Sequence, residues 1–98
     1  MRPPTSYPGW LARLYSVNTP EEIVDAAQKM HQLMPDRKRL RADVAVAISK
    51  KYRSDKTRAD ENLILKNAVK RKYETLAKAL LGGTITQMLA FADSVEQQ

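Results

Sequence analysis

Apolar residues recur every three or four positions through most of this chain, and no segment alternates apolar with polar over the length of a strand. In "NTPEEIVDAAQKMHQLMP", Ile23, Ala27, Met30 and Met34 form one stripe, widened by Ala26 and Leu33. Asn18 or Thr19 can cap this helix, because a side-chain oxygen there accepts an orphan backbone N–H. Pro20 fits the first turn, where its missing donor matters least. Glu21 and Glu22 complement the positive end of the helix dipole, and Pro35 stops the helix.

A second helix runs through "LRADVAVAISKKYRS". Leu40, Val44, Ala47, Ile48 and Tyr52 define its inner face, with Val46 off it. Ser54, Asp55 and Thr57 form caps and turns, which predicts a break there. Neither glycine nor proline occurs between Asp36 and Leu81, so one continuous helix is the alternative. A third helix, "RADENLILKNAVKRKYETLAKALL", carries the stripe Leu65, Val69, Leu76 and Leu80 with Tyr73 on its flank. Gly82 and Gly83 end it. After Thr84 a short fourth helix turns Ile85, Met88, Leu89, Ala92 and Val95 inward.

Residues 1–19 read as an arm. Pro3, Pro4 and Pro8 favour extended backbone. Within the arm, "GWLARLYS" can make two helical turns, with Trp10, Leu11, Leu14 and Tyr15 on one face. With Tyr7, these residues either line the core of their own domain or dock on another protein. The expectation is therefore an all-α fold: one small domain of about four helices over residues 20–98, with a long helical hairpin as one option, preceded by a Pro/aromatic N-terminal arm.

Composition narrows the function classes. The chain has 98 residues, 43% hydrophobic and 29% charged, as in an ordinary globular domain. No run approaches the ~20 apolar residues of a membrane span. "MRPPTSYPGW" has no apolar signal core. There is no cysteine, so neither a disulfide framework nor a thiolate metal site is expected. Cytoplasmic residence is the expectation. His31 is the only histidine, the acids mostly serve helix starts, and "LLGGT" lacks the lysine of a phosphate loop. Neither enzymatic activity nor a cofactor is expected.

The coherent signal is charge. The net charge is +6, but residues 37–72 hold thirteen basic and four acidic groups, giving +9, between flanks of −1 and −2. Such a block attracts polyanions: nucleic acid, an anionic membrane or an acidic protein surface. The candidate contacts are Arg37, Lys38, Arg39, Arg41, Lys50, Lys51, Arg53, Lys56, Arg58, Lys66, Lys70, Arg71 and Lys72. In an antiparallel hairpin, Arg37–Arg41 would lie near Lys70–Lys72 and Lys78, with Lys50–Arg58 at its tip. Arg37, Lys38 and Arg39 fall in a helix's first turn, where the dipole disfavours cations. Either the helix begins near Leu40, or the charges serve a partner.

The first functional expectation is nucleic-acid binding through backbone phosphates, since no zinc ligands, basic-zipper heptads or aromatic ribonucleoprotein motif are present. The competing one is a protein-interaction module, an accessory or inhibitor protein that docks on a larger nucleic-acid enzyme or transcription complex. Pairs such as Lys70–Glu74 also fit a merely solvated helix surface. The third helix's stripe is long enough to add a homodimer to the options.

Overall fold

The computed structural model describes residues 2–98. Among them run five α-helices and no strand: α1 (Tyr7–Ser16), α2 (Pro20–Leu33), α3 (Arg37–Ala59), α4 (Leu63–Leu81) and α5 (Ile85–Glu96). The all-α class is as expected. The helix beyond the expected four is α1, which replaces the arm's two turns.

Every helix starts on a side-chain cap. Ser6, Thr19, Asp36, Asn62 and Thr84 each accept a backbone N–H of the first turn. Thr19–Glu22 and Thr84–Gln87 are reciprocal capping boxes. Pro8 sits in the first turn of α1, where proline is tolerated, so the helix starts earlier than the two turns expected from Gly9 to Ser16. Gly82 closes α4 in the left-handed conformation, at φ 71°.

The long α3 touches all four other helices. It forms an antiparallel hairpin with α4. Arg41 donates to the Leu81 carbonyl at one end, and the Tyr52 and Tyr73 rings meet edge-on at 5.4 Å in the middle. α1 and α2 pair with each other, and α5 lies on α3. The molecule is flattened, 39 × 34 × 20 Å.

The core runs through all five helices: Tyr7, Trp10 and Leu14 of α1, Ile23 and Met30 of α2, Leu40, Val44 and Ile48 of α3, Tyr73 and Leu76 of α4, Met88 and Ala92 of α5. α3 is enclosed on more than the single face expected. Ala45 and Ser49 are buried as well, because a helix with neighbours on several sides needs small residues there.

Three expectations are corrected. The break placed at Ser54–Thr57 lies instead at residues 60–62, so the continuous-helix alternative also falls. The side chains that signalled a break are satisfied inside the helix. Thr57 donates to the Arg53 carbonyl, Ser54 accepts from Arg58, and Asp55 accepts from Tyr73. On α4 the inner face centres on Tyr73, which is fully buried rather than flanking, while Leu65 is exposed. Leu89 and Val95 of α5 are only half-buried.

Candidate polyanion-binding surface

Many of the thirteen basic candidates are bound into the fold. Two cap helix ends, and a third reaches the connection between two helices. Lys51 donates to the carbonyls of Tyr15 and Val17 at the end of α1. Arg41 donates to the Leu81 carbonyl at 3.1 Å, at the end of α4. Lys72 donates to the Asn18 carbonyl in the α1–α2 connection and lies 3.8 Å from Asp55. A cation at a helix C-terminus meets both the orphan carbonyls and the negative end of the dipole. Burial lowers the Lys51 ammonium below the ordinary lysine range; Asp55 opposes this and the Lys72 and Arg58 charges reinforce it.

Others tie helices together. Arg53 pairs with Asp93 at 3.3 Å and Lys50 with Glu96 at 3.6 Å, joining α3 to α5. Arg39 lies over the Tyr7 ring at 5.4 Å and reaches Asp43 at 3.7 Å, while the Tyr7 hydroxyl donates to Asp43 at 2.7 Å. Arg58 pairs with Asp55, and Lys56 lies 5.9 Å over the Tyr52 ring. Tyr73, buried in the core, also donates to Asp55. Burial first, and then the carboxylate accepting its proton, raises both tyrosines well above the ordinary phenol range.

What remains is narrower than the expected block. Lys38, Lys66, Arg71 and Lys78 are exposed and make no ion pair or side-chain hydrogen bond with another described residue. Lys70 approaches Glu74 only at 3.9 Å. Arg37 contacts only the ring of His31. Lys66, Lys70, Arg71 and Lys78 all belong to α4, spread over twelve residues or about 18 Å of its length. Arg37 and Lys38 open α3, which does begin at Arg37 with Asp36 as cap, so its first turn carries three cations.

The hairpin register corrects one placement. With the turn at residues 60–62, Arg41 faces the end of α4, and Lys72 faces Asp55 in the distal half of α3. Lys70–Lys72 are therefore well away from Arg37–Arg41. Nor do Lys50 and Lys51 reach the tip; they meet α5 and α1.

The aromatic docking candidates are also relocated. Tyr7, Trp10 and Leu14 are core residues, Trp10 being only 7% exposed, because α1 packs on α2 and α3. Side chains enclosed in this way are not presented to a partner. Leu11 is half-buried and Tyr15 exposed.

An apolar surface stands elsewhere. Leu63, Ile64 and Leu65 open α4 with 69%, 80% and 50% of their surfaces exposed. Residues 60–68 are exposed without interruption, so the hairpin tip projects from the body. Three consecutive large aliphatics cannot all face one side of a helix, and that spacing was the signal for an uncovered residue.

Among the described residues no helix is long and apolar enough to cross a membrane. Comparison with family models, curated proteins and solved structures finds no match. The reading of this surface rests on its own geometry.

Proposed function

We infer that this chain is a non-enzymatic module that binds nucleic acid through backbone phosphates, with the outer side of α4 as its principal contact. The carrying observation is the α4 row: Lys66, Lys70, Arg71 and Lys78 project along one exposed helix, and none is closely paired within the fold. A duplex carries one phosphate charge per ~1.7 Å of axis, so a row about 18 Å long meets several phosphates at once. Lysine and arginine on a solvated helix bind phosphate as charges and release counterions. They read no base edges from there, so weak sequence preference goes with this reading.

Arg37 and Lys38 are secondary contacts in this reading. The ion-paired cations, Lys50, Arg53 and Arg58, contribute through the field rather than by touching, since exposed pairs are weak and still add to the local potential. The compartment that goes with this reading is the cytoplasm. The protein-interaction reading is favoured by a different observation, the uncovered Leu63–Leu65 tip.

The test is a fluorescence titration of unrelated duplex and single-stranded oligonucleotides at low ionic strength, with wild type and a Lys66→Ala, Lys70→Ala, Arg71→Ala variant. The variant should bind at least tenfold more weakly to every sequence, with its melting temperature close to wild type. Equal binding by both proteins would remove α4 as the contact.

A further inference from the structure

The α3–α4 hairpin carries two features that the α4 phosphate row does not use, one at each end. At the tip, Asp60 and Glu61 precede the exposed Leu63, Ile64 and Leu65. Asp60 holds φ 50°, ψ −122°, a backbone region that normally demands glycine. At the opposite end, an open groove of about 840 Å³ lies between α2, the start of α3 and the end of α4. Val24, Ala27, Leu40 and Leu80 give it an apolar lining, and Arg37 and Arg41 line it as well. Arg37 has no carboxylate within ion-pair distance among the described residues; it rests on His31.

The two features complement each other twice. The tip offers uncovered aliphatic side chains where the groove has an apolar lining. It offers two carboxylates where the groove has Arg37, paired with no carboxylate, and Arg41, whose guanidinium also donates to the Leu81 carbonyl. Three adjacent large aliphatics left in water on a small domain mark a surface that meets something. A chain cannot fill its own groove with its own tip, because the 23 residues of α3 separate them by about 35 Å. The occupant with the right chemistry is a second copy.

We propose that the hairpin tip of one copy, residues 60–65, seats in the α2–α3–α4 groove of another. The contact is heterologous: the tip of one molecule meets a different surface of the next. It therefore yields either a reciprocal dimer with two such contacts or a longer head-to-tail assembly. The surfaces are small, and small interfaces are weak, so association belongs at high micromolar concentration. It is independent of the α4 phosphate contacts, shares Arg37 with the secondary ones, and is measured without nucleic acid.

The experiment is sedimentation equilibrium on the full chain and on two variants, Ile64→Asp at the tip and Ala79→Glu on the groove wall. Both positions are exposed; an acid early in α4 suits the helix dipole and one in its last turn opposes it, so Ile64→Asp should melt as wild type does and Ala79→Glu slightly lower. Wild type should exceed its 11.1 kDa monomer mass as concentration rises. Each variant alone should remain monomeric. Mixed in equal amounts, they retain one intact groove and one intact tip, and should form a dimer and nothing larger. A monomeric wild type at millimolar concentration would overturn the proposal and leave the groove to a different acidic, apolar partner. So would an Ile64→Asp variant that associates like wild type, or a mixture that forms species larger than a dimer.

Discussion

Ser49 is 1% exposed in the middle of α3, and its hydroxyl has no hydrogen-bond partner. A buried hydroxyl left unpaired is destabilising, whereas alanine has the same helical geometry and nothing to satisfy. Ser49→Ala should raise stability by about 1 kcal/mol, read as a higher urea midpoint at unchanged slope. A loss of stability would show that the hydroxyl has a partner in solution. Tyr7 and Tyr73 behave in the opposite way, each donating to a carboxylate and held protonated to a higher pH than in the unfolded chain. The unfolded chain gives up these protons first as pH rises past the ordinary phenol value of about 10. The tyrosines' contribution is thus fully present below that pH and is lost as pH climbs toward their folded values. Lys51 acts with the reverse sign, since its folded value is lowered: it adds stability as pH rises through that value toward the ordinary lysine range. Melts between pH 9 and 12 should show a net loss above pH 10, because two tyrosines oppose one lysine. In a Tyr7→Phe, Tyr73→Phe variant that loss should be largely absent, though the variant is less stable at neutral pH.

At the level of the helices, the first turn of α3 is the place where local physics and sequence disagree. Arg37, Lys38 and Arg39 stand at the positive end of the dipole, with Asp36 alone opposing them. Replacing Arg37 and Lys38 by glutamate should raise stability by about 0.5–1.5 kcal/mol, seen in a thermal melt. The same variant should bind oligonucleotides more weakly. A variant that is more stable and binds as well as wild type would make these residues ordinary solvated surface. The helix starts at Thr19, Asp36 and Thr84, and the glycine stop at Gly82, were legible because capping is local chemistry. The α3–α4 break was not, because Ser54, Asp55 and Thr57 bond within the helix or to Tyr73, and tertiary partners do not show in a local pattern. The start of α1 was missed for a related reason: Pro8 lies at a position that starts a helix, while Trp10 takes the core placement, one of the two expected, through α2 and α3.

Over the whole molecule, the sequence shows that residues 37–72 are basic but not which of those charges the fold uses. Lys51, Lys72 and Arg41 donate to carbonyls 34 to 54 residues away, at or just past the ends of other helices, an arrangement that no spacing along the chain reveals. With them removed, the surface available to phosphate contracts to α4 and the start of α3. That contraction sets the size of the expected electrostatic response. Four to six cations meeting phosphates of B-form DNA give a plot of log affinity against log salt with a slope of about −3 to −5. The measurement that tests the phosphate-binding reading most directly is that slope, taken with an unrelated duplex between roughly 50 and 200 mM salt. Wild type should give about −3 to −5, and the Lys66→Ala, Lys70→Ala, Arg71→Ala variant a slope shallower by about 2 to 3. Absence of binding at the lowest salt, or a wild-type slope of about −1 or flatter, would contradict the assignment of α4 to phosphate.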